Sequence, residues 1–303
     1  MVVFMATSAF AASLSVATGG TAGTYYPIGG AIAAAASKNP NIRASAETSN
    51  AATANANMVA TKEIEIAFCQ ADVTAWAING ELMFEGRPLK NLRTIAALYP
   101  ETVHVVVSKQ SGITHLLSLK DKRVGVGAPG SGTEGDARAI FKTIGMTYDD
   151  MSVQFLNFGE VSSRFKDEQI DAGFVVAGVP AAALMDLATT KDITLINFDK
   201  AMMDALIAAN PFFQANVIPG GTYRGVDEDI TTPAVMAILI THDEMPEEVI
   251  YNFTKSMFEN LGDIHASHAM ARNITLENAT KGLTAPLHPG AAKYYQEMGI
   301  PID

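Results

Sequence analysis

A single cysteine, Cys69, in 303 residues excludes an internal disulfide. With Ile66, Ala67 and Phe68 before it, that residue reads as plain core in a buried strand. Basic residues are short: 21 Lys and Arg stand against 32 Asp and Glu, for a formal charge of −11. Such a field repels phosphate backbones and anionic headgroups, which argues against nucleic acid and membrane surfaces as partners. No apolar run approaches the ~20 residues that a helical bilayer crossing requires. Only six histidines are present, none beside a candidate nucleophile. Pro129 stands where a Gly-x-Ser-x-Gly elbow around Ser131 needs its first glycine. His265 and His268, near Asp263, read as a solvated helix end rather than metal ligands. No metal site is predicted, and hydrolase chemistry has no local support. No fixed-period repeat is present either, which sets solenoids aside.

What is present is a folded composition, 48% hydrophobic and 17% charged, with 24 Gly and 13 Pro. The length favours two domains. Residues 1–11 are apolar and small, and Ala9-Phe10-Ala11 fits a signal-peptidase site. They are expected to be the remnant of a leader without its basic start, with export to the periplasm and a first strand just after Ala12.

Short apolar, β-branched runs recur at 13–18, 42–47, 64–69, 93–98, 103–108, 123–126, 153–156, 172–176, 193–196 and 234–241. Helix-like stretches alternate with them, at 28–37, 51–61, 71–79, 134–144, 180–188 and 246–260. This alternation predicts α/β lobes on largely parallel sheets, whose ligands sit where strand ends meet helix starts. The runs at 103–108 and 234–241 are expected to be crossover strands. They divide the chain into a first lobe of residues 12–103 plus 230–303 and a second of 104–229.

Four strand-to-helix turns carry the candidate site. Thr18-Gly-Gly20-Thr21-Ala-Gly-Thr-Tyr25 is rich in backbone and hydroxyl donors, although it also reads as a tight turn with tyrosines packed beneath. Ser49 and Asn50 serve the next helix as N-caps or face a ligand, the cap being favoured when the turn is taken alone. Gln70 follows a strand and is placed to point inward, beside Asp72 at a helix start. In Gly125-Val-Gly127-Ala-Pro-Gly130-Ser131-Gly132-Thr133-Glu134 two enzyme motifs fail. Pro129 interrupts the dinucleotide-type glycine pattern, and Thr133 and Glu134 stand where a P-loop needs Lys and Ser/Thr. No cofactor is predicted. What remains is an anion nest of N–H groups and hydroxyls at Ser131, Gly132 and Thr133, which suits a carboxylate.

Taken together, the segments 17–30, 48–50, 70–72, 98–101, 128–134, 177–180 and 287–291 resemble the TAXI solute receptors of tripartite ATP-independent periplasmic (TRAP) transporters. The resemblance spans nearly the whole mature chain. It implies a type II periplasmic binding fold, with two lobes joined by crossing hinge strands. It further implies ligands such as glutamate, glutamine or 2-oxoacids, a TRAP membrane subunit as partner, and a monomer. Carried onto this sequence, it places Gly20, Thr21, Tyr25, Ser49, Asn50, Gln70 and Gly130 to Thr133 in the cleft lining. Tyr99, Glu101, Phe174, Gly178 and Pro180 would border it. The resulting expectation is a binding protein and not an enzyme. Its rivals are an enzyme on the same fold acting on a small carboxylate, and a ligand sensor for a signalling membrane protein.

Overall fold

The computed structural model describes residues 11–302, so all but the last residue of the expected leader lies outside the described residues. The chain opens with parallel strands β1 (Ala12–Ala17), β2 (Ile42–Glu47) and β3 (Ile66–Gln70), joined by helices α1 (Tyr25–Ala36) and α2 (Ala52–Ala60). Helix α3 (Ala71–Asn79) follows β3 directly, and a long strand β4 (Leu92–Ser108) comes next. Then come β5 (Arg123–Gly125), α4 (Gly132–Thr143), β6 (Ser152–Gln154), α5 (Phe158–Lys166), β7 (Ala172–Ala177), α6 (Ala182–Thr190), β8 (Ile193–Leu195), α7 (Lys200–Ala209) and β9 (Gln214–Ile218). The second long strand, β10 (Ile230–His242), leads into α8 (Glu247–Glu259), α9 (Leu261–Ser267) and α10 (Pro289–Glu297).

The strands form one continuous sheet in the order β2-β1-β3-β10-β4-β7-β5-β6, with β8 also on β4 and β9 also on β10. Burial explains the local choices. All of Ile66–Gln70 and all of Ala172–Ala177 are buried, as central strands covered on both faces require. Helix α1 buries Ile28, Ile32, Ala33, Ala35 and Ala36 and leaves Tyr26 and Gly30 exposed. Helix α5 begins at an Asn157-x-x-Glu160 capping box, in which each side chain accepts the other residue's N–H.

The sequence reading divides residues 93–108 into two strands, whereas β4 runs through Tyr99, Pro100 and Glu101 without a break. Pro100 cannot donate to a ladder. It is accommodated opposite Met236, next to the register shift between Ala237 and Ile238. Partners change along both long strands. Residues 92–102 of β4 pair with β10 and residues 102–107 with β7; residues 237–241 of β10 pair with β3 and residues 230–234 with β9. Both strands therefore begin in one lobe and end in the other. A hydrophobic core continues between them, from Val59, Trp76 and Phe84 to Phe141 and Phe174.

In the second lobe His104 joins β4 to β7 and to the loop before β10. Burial holds this imidazole neutral, with its pKa lowered to about 4. Nδ1–H therefore donates to the Val175 carbonyl at 3.0 Å, Nε2 accepts from the Tyr223 hydroxyl at 2.9 Å, and that hydroxyl accepts the Ala181 N–H at 2.8 Å. Tyr223→Phe removes one group and strands two buried ones, at a cost of about 2–5 kcal/mol. Urea unfolding at neutral pH should show that loss. An unchanged midpoint would mean that water replaces the hydroxyl.

Candidate functional site

Four turns converge on a cleft of about 260 Å³ between the lobes. Gly19 to Tyr25 come from the turn after β1, Ser49 to Ala52 from the turn after β2, Gln70 from the end of β3, and Ala128 with Ser131 to Thr133 from the turn after β5. Glu101 of β4, Val176 of β7 and Asn157 to Gly159 at the start of α5 complete the wall.

The donors come chiefly from helix starts. The Ser131 hydroxyl caps α4 by accepting the Glu134 N–H at 3.2 Å and itself donates to the Ala128 carbonyl at 2.8 Å. Its own N–H also donates to Ala128, at 3.0 Å. The N–H groups of Gly132 and Thr133, in the first turn, have no carbonyl within the helix to bond, and they sit at the positive end of its dipole. Across the cleft, the Ser49 hydroxyl lies 2.6 Å from Asn55 Oδ1 and 2.9 Å from the Thr18 carbonyl, the acceptors open to its one proton, and accepts the Ala51 N–H, so it locks the turn rather than capping α2. The N-cap is instead Ala51, held at φ 66° and ψ −152°, a region that side chains avoid. Strain of this kind persists where surrounding bonds over-determine the backbone.

Among the described residues, no Lys, Arg or His lines the cleft. The one carboxyl among the described lining residues belongs to Glu101, which is buried and accepts the Tyr25 hydroxyl at 2.6 Å. Burial pushes this carboxyl up to about 8, against the lowering effect of the Tyr25 bond. Burial also raises the Tyr25 phenol well above its ordinary value. At neutral pH the wall thus carries an uncharged acid and a ring of neutral donors.

The lobes touch across the cleft. The Ala54 N–H donates to the Gly130 carbonyl at 2.9 Å, the Gly178 N–H to the Thr24 hydroxyl at 3.0 Å, and the Gln70 amide to Asp136 at 3.1 Å. Contact is closest at Gly132, where an added Cβ would lie 1.5 Å from Gln70 Oε1 and 3.1 Å from the Ala52 Cβ.

Residues 16–299 match the NMT1-like family. The chain belongs to the NMT1-like family. Solved structures agree on the fold. A protein from Bordetella bronchiseptica RB50 is 14% identical with a TM-score of 0.60, over 95% of this chain and 98% of the other. PhnD1 from Prochlorococcus marinus, in complex with methylphosphonate, is 13% identical with a TM-score of 0.56, over 85% and 89%. DctP7, a Bordetella pertussis extracytoplasmic solute receptor binding pyroglutamic acid, is 15% identical with a TM-score of 0.50, over 95% and 92%. This NMT1-like chain has the type II periplasmic binding fold, two lobes joined by crossing hinge strands.

Within the NMT1-like chain, Gly20, Thr21, Tyr25, Ser49, Asn50, Gln70, Ser131, Gly132 and Thr133 all line the cleft. Five other expected residues, Tyr99, Gly130, Phe174, Gly178 and Pro180, do not. Tyr99 and Phe174 are wholly buried, Tyr99 in the core under α1 and α8 and Phe174 edge-on to Phe141. Gly130 turns at φ 78° and spends its carbonyl on Ala54, while Gly178 meets Thr24. The nest is also smaller than expected, because both the N–H and the hydroxyl of Ser131 are used within its own turn. Ser131→Ala should therefore cost about 1 kcal/mol of stability as a lost N-cap, read from urea unfolding. Asn157, Phe158 and Gly159 were not anticipated. The Asn157-x-x-Glu160 capping pattern marks that helix start and was the available signal.

Proposed function

We propose that this chain is the extracytoplasmic receptor of a TRAP transporter of the TAXI type, capturing a small carboxylate of the glutamate, glutamine or 2-oxoacid class. It acts in the periplasm as a monomer, and a TRAP membrane subunit takes the ligand from it. The lobes divide into residues 12–103 with 230–303 and residues 104–229; on β4 this cut lies one residue past the change of partner at Thr102, and on β10 it precedes the change between Ala234 and Ala237.

The observation that carries the reading is a closed cleft whose anion-binding groups are backbone N–H donors at the start of α4, with no basic side chain. Hydrogen bonds to a charged group contribute roughly 1.5–3 kcal/mol each, so a few of them with lobe closure reach micromolar affinity, about 8 kcal/mol. Glu101, neutral at pH 7, does not repel the ligand. Segments 17–30 and 128–134, on which the TAXI resemblance rests, supply most of the wall, and DctP7 is a receptor with this fold.

The test is a thermal-shift screen of ligand-stripped protein against amino acids, 2-oxoacids, dicarboxylates and sugars, followed by calorimetry. A ligand at 100 times its Kd adds roughly 2.7 kcal/mol. One carboxylate should stabilise the chain, and Thr133→Val should weaken it roughly tenfold by removing one hydrogen bond. Stabilisation by a sugar and by no carboxylate would overturn the assignment.

A further inference from the structure

Behind the cleft wall, two aspartates meet across the lobe boundary. Asp72 is the second residue of α3 in the first lobe, and Asp136 is the fifth residue of α4 in the second. Both are completely buried. Among the described residues, neither Asp72 carboxylate oxygen has a hydrogen-bond partner, and neither has Asp136 Oδ1 or Gln70 Oε1. The side-chain donor that reaches the pair is the Gln70 amide, at 3.1 Å from Asp136 Oδ2; the Asp72 and Val73 backbone N–H groups lie near enough to favour an ionised Asp72 without completing a hydrogen bond. The titratable neighbours are themselves acids: Glu101 on β4, Cys69 on β3, and beyond them Tyr25 on α1 and Tyr99 on β4. On α4 the nearest charges, Glu134 and Arg138, are paired with each other, and Tyr148 donates to Glu134. Among the described residues, no Lys, Arg or His acts on either aspartate. Two adjacent buried carboxylates cannot both stay ionised. One proton between them converts the repulsion into a carboxyl–carboxylate hydrogen bond.

We propose that closing the lobes binds a proton between Asp72 and Asp136, so that ligand capture takes up a proton and weakens as the surroundings turn alkaline. This rests on the receptor reading only for the identity of the ligand. When the lobes part, Asp136 leaves with α4 and water reaches both carboxyls, which return to the ordinary carboxylate range and release the proton. Burial raises both groups in the closed form, and the charge of Asp72 raises Asp136 further. A group raised on closure favours the closed form at low pH, and that advantage is lost as pH rises through the raised value. A cation in place of the proton is less well matched, since calcium takes six to eight oxygens and the unpartnered ones here number four.

The experiment places dyes at Glu277→Cys and Lys200→Cys, exposed positions in the first and second lobes. Cys69 stays unlabelled, being buried with its thiol pushed up to about 12. Lobe separation is followed from about pH 5 to 9 without ligand and with L-glutamate, in the parent and in Asp136→Asn, whose amide donates to Asp72 at every pH. Calorimetry with L-glutamate in two buffers of different ionisation heat counts the protons taken up. In the parent, the closed fraction should fall with rising pH, and affinity should drop by up to about tenfold per pH unit between the ordinary carboxylate range and the raised closed-form value, as one-proton linkage requires. Asp136→Asn should stay closed and lose that slope. The same slope in both proteins, or no proton uptake, would overturn the proposal; so would calcium alone closing the alkaline parent. If L-glutamate does not bind but the parent alone opens with pH, the proton site stands and the glutamate-class receptor reading falls.

Discussion

Gly132→Ala should abolish productive closure and weaken ligand capture roughly a hundredfold or more. The added methyl would fall 1.5 Å from Gln70 Oε1, well inside contact distance, and 3.1 Å from the Ala52 Cβ. Gln70 has little room to yield, because its side chain is buried and its amide donates to Asp136. Relief comes by moving α4 away from β3, which parts the lobes and carries the Gly132 and Thr133 N–H groups off the ligand. Losing two charge-assisted hydrogen bonds costs about 3–6 kcal/mol. The substitution is otherwise mild, since Gly132 is not among the residues of positive φ and alanine favours the helix. The signature is therefore weak binding in calorimetry with unfolding near that of the parent. Parent-like affinity would show that the ligand is held without this approach.

Glu101→Gln should flatten the pH dependence of stability. Glu101 is buried in the closed protein at about 8, above its ordinary 4.5, chiefly through burial. The native chain therefore holds a proton that the unfolded chain releases. Its stabilising effect is full below about 4.5 and is lost as pH rises through about 8. At about 1.4 kcal/mol per pH unit, that interval of 3.5 (8 − 4.5) is worth on the order of 5 kcal/mol. Glutamine keeps an acceptor for the Tyr25 hydroxyl and has no proton to lose. Urea unfolding at several pH values should show the parent weakening toward alkaline pH far more than the variant, with the Asp72 and Asp136 contribution remaining in both. Parallel curves would mean that Glu101 ionises freely in the folded protein.

The site turns were legible because each combines a strand end with small or hydroxyl residues at a helix start, and a parallel sheet brings such turns to one edge. Residues 19–25, 49–50, 70 and 131–133 reach the cleft by that logic. Tyr99 and Phe174 were not legible, because both lie on strands buried on two faces, where alternation does not separate cleft from core. On β4 the pairing with β10 also slips twice, which uncouples sequence parity from facing. Bond assignment was invisible too. Ser131 looks like a ligand donor in sequence, and only the Ala128 and Glu134 distances show its hydroxyl engaged. Asp72 stands at a helix start in the sequence, whereas its carboxyl also meets Asp136 through a fold contact 64 residues away (136 − 72).

The strand order β2-β1-β3-β10-β4 places a late strand between two early ones. During synthesis, β1 to β3 emerge without the neighbour that ties them to β4, since β10 begins only at Ile230. Strands β5 to β7, and β8 against β4, meet their partners within one uninterrupted stretch of chain. The middle of the polypeptide is thus able to assemble first. The opening third waits as an incomplete sheet whose edge stays open until more than two thirds of the chain has been made, and an edge left open in this way invites pairing with other chains.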